Sequence, residues 1–424
     1  MITLIKNATV ITMDDTRDEQ YEKLDIVISN DTIKELTNEY KGEYDKLIDA
    51  TDKVVMPGLI NCHTHLGMSV FRATNDSLTL EKWLQEKIWP IEDKLTNDDI
   101  YYTTMLSCIE MIKSGTTTSN DMYYNCNGSL KAIKECQVRS LFSRCLMDSD
   151  GGGDKRIEEF LKLYNENASQ DLITFSVAPH AIYTCSYEYL KRCANLAKEL
   201  KLPIHIHFCE NLDEVNNIKN KYHKSPLALL KELGYLENKL ILAHATYISD
   251  LELKELKNRD VSFVHNPISN LNLGCGIADI TKYRKYVNIT LGTDGQGSGN
   301  NLNLFKHMSY VDLLQKGIYK DPTIFSSYDV LKIATINGAK ALGLGNLVGS
   351  ITPGKKADII IIDLDSTETY PSPDLITNIV HNVDASNIDT TIVNGKILME
   401  NHQIKLSINE DNIKKEVDRI INKI

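Results

Sequence analysis

VMPGLINCHTH, residues 55–65, is an apolar run that ends on two histidines. A short continuous run of this kind, bounded by turn residues, reads as a buried strand. His63 and His65 stand at i and i+2, so both imidazoles face the same side of that strand. Seven more runs repeat the texture: GTTTSNDMY (115–123), VRSLFSRCLMD (138–148), ITFSVAPH (173–180), LPIHIHFCE (202–210), KLILAHA (239–245), VSFVHNP (261–267) and NITLGTDG (288–295). Longer amphipathic segments separate them, which is the βα rhythm of a parallel sheet. Eight such units predict a (β/α)8 barrel of the TIM type over 56–347, since that architecture takes about 250 residues plus insertions. Counting strands leaves an open doubly wound sheet as the alternative.

Each run closes on a polar or ionisable residue: His63, Asp121, Arg144, His180, His207, His244, His265 and Asp294. In a parallel barrel the C-terminal strand ends open on one face, where barrel enzymes place their chemistry. The flanks differ. Alternating strand-like pieces occur at LIKNATVITM, LDIVISN and YDKLIDA, and again at KKADIIIIDL and DTTIVNGKILME, where Asn394-Gly395 signals a hairpin. Residues 1–55 and 348–424 are therefore expected to pair into one small β-sandwich module built from both termini.

Composition excludes several classes. A formal charge of −11 argues against a nucleic-acid partner, which needs a basic face. No apolar run reaches the ~18 residues of a membrane span, and the N-terminus lacks a signal-peptide pattern. Nine scattered cysteines without a CxxC pair indicate neither a disulfide framework nor a thiolate zinc site. A cytoplasmic chain acting on a small molecule is expected; self-association stays open.

The strand ends carry a specific chemistry. Two histidines at i, i+2 can share a metal ion, and His207 and Asp294 supply two further ligands. Three imidazoles and a carboxylate suit one divalent ion, zinc or ferrous iron, with room for a water. Such an ion lowers the pKa of its water towards ~7. His244 and Asp294 can orient and deprotonate that water. Glu210, three residues beyond His207, can face the reacting atom without joining the ligands and pass a proton to a ring nitrogen. The glycines after Asp294 are expected to let the backbone turn beneath the metal. His265 is expected to bond Asn266 or Asn270. Trp83 and Trp89 read as core, with Trp83 able to reach a pocket. HExxH and the HxE…PCxxC signature are absent, and neither LGCGIAD nor GTDGQGSGNN is a phosphate loop.

VMPGLINCHTHLGM, HIHFCE, LAHAT, VHNPISNLNLGCGIA and LGTDGQGSGNNLNLF resemble the signature segments of the amidohydrolase superfamily. In particular they resemble its methylthioadenosine/S-adenosylhomocysteine deaminase branch, over nearly the whole chain. The resemblance implies one metal on His63, His65, His207 and Asp294, a proton shuttle at Glu210, and His244 handling the attacking oxygen. It also implies substrate contacts at Glu92 and His180 to ribose, with Arg144 and Arg156 clamping a homocysteine carboxylate. The implied reaction is hydrolytic deamination of an adenine nucleoside: 5′-methylthioadenosine, S-adenosylhomocysteine or adenosine. The same mechanism on guanine, another aminopurine, a pterin or a triazine is the alternative, and a non-catalytic binding relative is the second. A two-metal cyclic-amide hydrolase is disfavoured because no strand end carries a lysine.

Overall fold

A computed structural model describes residues 1–74 and 78–424. The run at 55–63 divides at Gly58, with Val54–Pro57 entering an outer sheet and Leu59–Thr64 opening the barrel. A Cβ at Gly58 would lie 2.2 Å from the Thr117 side chain, so the chain crosses between sheets where only glycine fits.

Parallel ladders run from Leu59–Thr64 to Thr116–Tyr123, to Arg139–Leu146, and on to the split strand Ile173–Phe175 and Ala178–Pro179. Bridges at Val177–Ile204 and Ala181–His207 lead to Ile204–Phe208, then Leu240–His244, Val261–His265 and Asn288–Leu291 follow. The circle closes where the Asp294 amide donates to the His63 carbonyl at 3.0 Å. Asn61 tightens this seam. Its side-chain amide donates to the Thr293 hydroxyl at 2.8 Å, and its carbonyl accepts the Thr293 N–H at 3.1 Å. The sheet is a closed barrel, not an open one.

Outer helices bury one face each, as Gly153–Asn167 does through Ile157, Phe160 and Leu163. Serines cap several of them: Ser186 accepts from the Tyr189 amide and Ser225 from the Ala228 amide. Strands from both termini join in one nine-stranded sheet. It grows this way because Ile2–Val10 pairs with both Lys46–Asp49 and Val54–Pro57, and the latter pairs with Ile359–Ile362. Ile5, Ile26, Ile28, Ile359 and Ile361 belong to its separate apolar cluster. The last helix, Glu410–Lys423, lies on the barrel helix Asn97–Lys113, tied by Lys423–Asp99 and Lys113–Glu410 at 2.6 Å each.

Arg139, on the third barrel strand, reaches Asp358 beside the outer sheet through two bonds of 2.8 and 3.0 Å, both groups buried. Asp358→Ala leaves that guanidinium without its counter-charge. The variant is expected to lose roughly 3–5 kcal/mol, read as a lower unfolding midpoint; an unchanged midpoint would show the pair to be dispensable. All nine cysteines are buried and free. No helix among the described residues is long and apolar enough to cross a membrane.

Candidate metal centre and active site

At the C-terminal mouth of the barrel the ligand atoms of His63, His65, His207 and Asp294 lie within 4.8 Å of one another. Each histidine engages Nδ1 elsewhere. His63 Nδ1 is 2.9 Å from His205 Nε2, His65 Nδ1 donates to the Met122 carbonyl at 2.6 Å, and His207 Nδ1 donates to the His180 carbonyl at 2.7 Å. The Nε2 atoms are left to converge. Those of His63 and His65 stand 3.4 and 3.1 Å from Asp294 Oδ1, and His65 Nε2 is 3.2 Å from His207 Nε2. Ligands about 2.0–2.1 Å from a tetrahedral ion are separated by roughly 3.3 Å. The buried His63 Nε2 has no hydrogen-bond partner of its own. The donor set therefore fits a divalent ion.

Electrostatics and backbone agree with that fit. Burial brings His63 down to about 4 and holds His207 well below its ordinary range, so both rings stay neutral, the state a ligand needs. Burial is the largest single influence on His65 and opposes its charge, but the bond and charge of Asp294, the Met122 carbonyl and the Asp121 charge together outweigh it and raise His65 to about 9. A proton and a cation compete for that nitrogen. Ser269 and Ser298 donate to Asp294 Oδ2 at 2.7 and 2.6 Å, which turns Oδ1 towards the histidines. Cys209, His244, Ala245 and Asp294 all have φ between 47° and 71°, left-handed values that cost non-glycine residues of order 1–3 kcal/mol each. The strain falls where strands turn their side chains into the mouth. The glycines after Asp294 do not make this turn: Asp294 makes it. Gly295 and Gly297 instead give room to Met68 and Trp83, which an added Cβ would meet at 2.6 and 2.8 Å.

His205 has a role that its sequence pattern could have disclosed, because HIH at 205–207 repeats the i, i+2 spacing of 63 and 65. For His63 Nε2 to hold a lone pair, His63 Nδ1 must carry the hydrogen and His205 Nε2 must accept it. His205→Ala is expected to weaken metal binding about 10–100-fold, measured by competition with a chelator. Unchanged affinity would remove His205 from this role.

Glu210 is buried beside the centre. The Glu214 carboxylate, on the next helix, accepts the Glu210 and Cys209 amides at 2.8 and 3.3 Å and so holds the turn that aims Glu210. The Cys275 thiol donates to Glu210 Oε1 at 3.7 Å, and burial raises the carboxyl's pKa. His244 donates from Nδ1 to Asn270 at 2.8 Å, freeing Nε2 for the mouth. Asn270 is thus committed to His244. His265 has neither of its expected bonds, and both its ring nitrogens are buried without partners.

The pocket over the centre is walled by Leu80, Trp83, Leu84, Ile88, Trp89 and Leu273, with Glu92, His180, Glu210 and His244 among its polar lining. Glu92 follows a widened helical turn, Leu84–Ile88, in which the Trp89 amide bonds the Leu84 carbonyl. Pro90 has no N–H to continue an ordinary turn, and such bulges often mark functional sites. Burial pushes Glu92 up to about 7 and His180 down to about 3. Both tryptophans read as core line the pocket. Arg144 and Arg156 do not. Arg144 donates through Nε and Nη2 to Glu159 at 3.0 and 2.9 Å, and Arg156 is forked onto Asp150. Each guanidinium meets a nearby acid before it can face the mouth.

Residues 54–398 match the amidohydrolase family. A 5-methylthioadenosine/S-adenosylhomocysteine deaminase of Thermoanaerobacter pseudethanolicus is 43% identical, over 96% of this chain and 95% of its own. A 5′-deoxyadenosine deaminase of Methanocaldococcus jannaschii is 37% identical, over 94% and 96%. Among solved structures, an adenosine deaminase from Xanthomonas campestris with bound zinc superposes with a TM-score of 0.95 at 28% identity, covering 100% of this chain and 99% of that one.

Proposed function

The chain belongs to the amidohydrolase family, and on that premise we propose that it hydrolytically deaminates adenine nucleosides with modified 5′ ends, 5′-methylthioadenosine among them. The observation that carries the reading is the meeting of three Nε2 atoms and one carboxylate oxygen beside a buried Glu210. His63, His65, His207 and Asp294 would hold one ion, zinc rather than ferrous iron given the zinc in the structural neighbour. A divalent ion there supplies the Lewis acidity that makes water nucleophilic near neutral pH.

The chain's own groups do the rest. The apolar walls with Trp83 and Trp89 enclose the purine and exclude competing water. Glu92 accepts from ribose hydroxyls and His180 contacts the sugar. His244, its ring fixed by Asn270, and Asp294 orient the attacking water and take up a proton. Glu210 hands a proton to the ring nitrogen beside C6. The C–N bond breaks once the amine is protonated, so the water's two hydrogens end on the ring nitrogen and on ammonia. Arg144 and Arg156 would receive a homocysteine carboxylate only if it displaced Glu159 and Asp150.

The test is the absorbance change as adenine becomes hypoxanthine. Purified, metal-loaded protein should convert 5′-methylthioadenosine to its inosyl product with release of ammonia. Failure on every adenosine derivative, alongside turnover of guanine or a triazine, would transfer the mechanism to that substrate.

A further inference from the structure

The catalytic pocket has no Lys or Arg among its described lining residues, although its substrates can carry a charged 5′ end. The Arg144 guanidinium lies behind its wall, where Nη1 donates to the carbonyl of the pocket-lining Cys145 at 2.7 Å. Arg144 itself lines a neighbouring cavity, together with Asn97, Asn127, Lys155 and Glu159, and Tyr124 is the wall that both cavities share. A 5′ substituent long enough to pass Tyr124 therefore meets Arg144. It meets an arginine already occupied: Nε and Nη2 both point at one oxygen of Glu159.

Resting on the deaminase reading above, we propose that Glu159 is a specificity residue, which occupies Arg144 and so disfavours substrates whose 5′ end carries a carboxylate. Two observations support this. Glu159 serves no packing purpose, because its helix buries Ile157, Phe160 and Leu163 while Glu159 is 41% exposed. Arg144 is 9% exposed, so its charge is not freely available to solvent and depends on the partner beside it. A carboxylate arriving there exchanges one ion pair for another and leaves Glu159 facing it as a like charge, with only the more exposed Lys155, 3.9 Å away, as a remaining partner. An uncharged 5′ end, methylthio or deoxy, gains the apolar walls with no such exchange. Asp150 holds Arg156 in the same way, so no second guanidinium stands in reserve.

The experiment compares 5′-methylthioadenosine with S-adenosylhomocysteine on the metal-loaded parent and on Glu159→Gln, with calorimetric binding of both compounds measured in parallel. The parent should favour the methylthio compound by about tenfold in kcat/KM. Glu159→Gln should raise kcat/KM for S-adenosylhomocysteine by about tenfold and leave the methylthio value within about twofold. Adding Arg144→Ala should cancel that gain, which a merely structural effect of Glu159 would not do. Equal use of both compounds by the parent, or an unchanged ratio in Glu159→Gln, overturns the proposal. If neither compound is deaminated, the deaminase reading fails instead. The binding ratios then decide on Glu159 by the same criteria.

Discussion

Stripping the divalent ion with a chelator is expected to lower deamination of 5′-methylthioadenosine by about a thousandfold or more. Lewis-acid activation of water is worth several kcal/mol, and each 1.36 kcal/mol is about tenfold. The loss should be reversible, since the ligands hang from rigid strand ends and from the closing seam. One equivalent of zinc per chain should restore turnover, and ferrous iron provides the comparison. The His65–Asp294 pair predicts how loading depends on pH. His65 is raised to about 9, so at neutral pH the vacated site takes up a proton, and metal binding must expel it. Loading should therefore tighten as pH rises towards 9. Asp294→Asn separates charge from shape, because it removes the one anionic ligand while keeping an oxygen near His63 and His65. It should bind metal more weakly and turn over more slowly than the parent. Full activity in metal-free protein, verified by elemental analysis, would end the metal-dependent reading.

The parts of this site that could be read in sequence are those where one local pattern implies one geometry. Continuous apolar runs ending on His63, His207, His244 and Asp294 could be buried only as parallel strands, and their ends had to share a face. What could not be read depends on which way side chains turn. Arg144 and Glu159 are 15 residues apart, and the sequence shows both charges without showing that the guanidinium turns to the acid and away from the pocket. His63 and His205 are 142 residues apart, so their ring-to-ring bond needs the barrel to exist first. The division at Gly58 was hidden because apolar residues continue on both sides of it. Nor does a count of strands disclose closure, which here is made by the Asp294 amide on the His63 carbonyl and tightened by Asn61 and Thr293.

Glu210→Gln tests the chemical step itself, and its expected effect is a fall in kcat of about 10²–10⁴. The carboxyl is buried, its backbone is held by Glu214, and its side chain lies 3.8 Å from His244. Glutamine keeps that size and can still donate a hydrogen bond to the purine ring, so binding should change little. It cannot release a proton, so attack on C6 finds no acid for the ring nitrogen and the adduct collapses back. KM should therefore stay within a few-fold while kcat drops, and metal content should equal the parent's, since Glu210 is not among the four ligand groups. That split separates proton transfer from positioning. Glu214→Ala, which frees the turn without removing the acid, should lose less in kcat and be more sensitive to temperature. A Glu210→Gln enzyme within tenfold of the parent, with metal bound, would move the proton to another group. His244 would then be the next candidate, because its ring is already fixed by Asn270 and lines the same pocket 3.8 Å from Glu210.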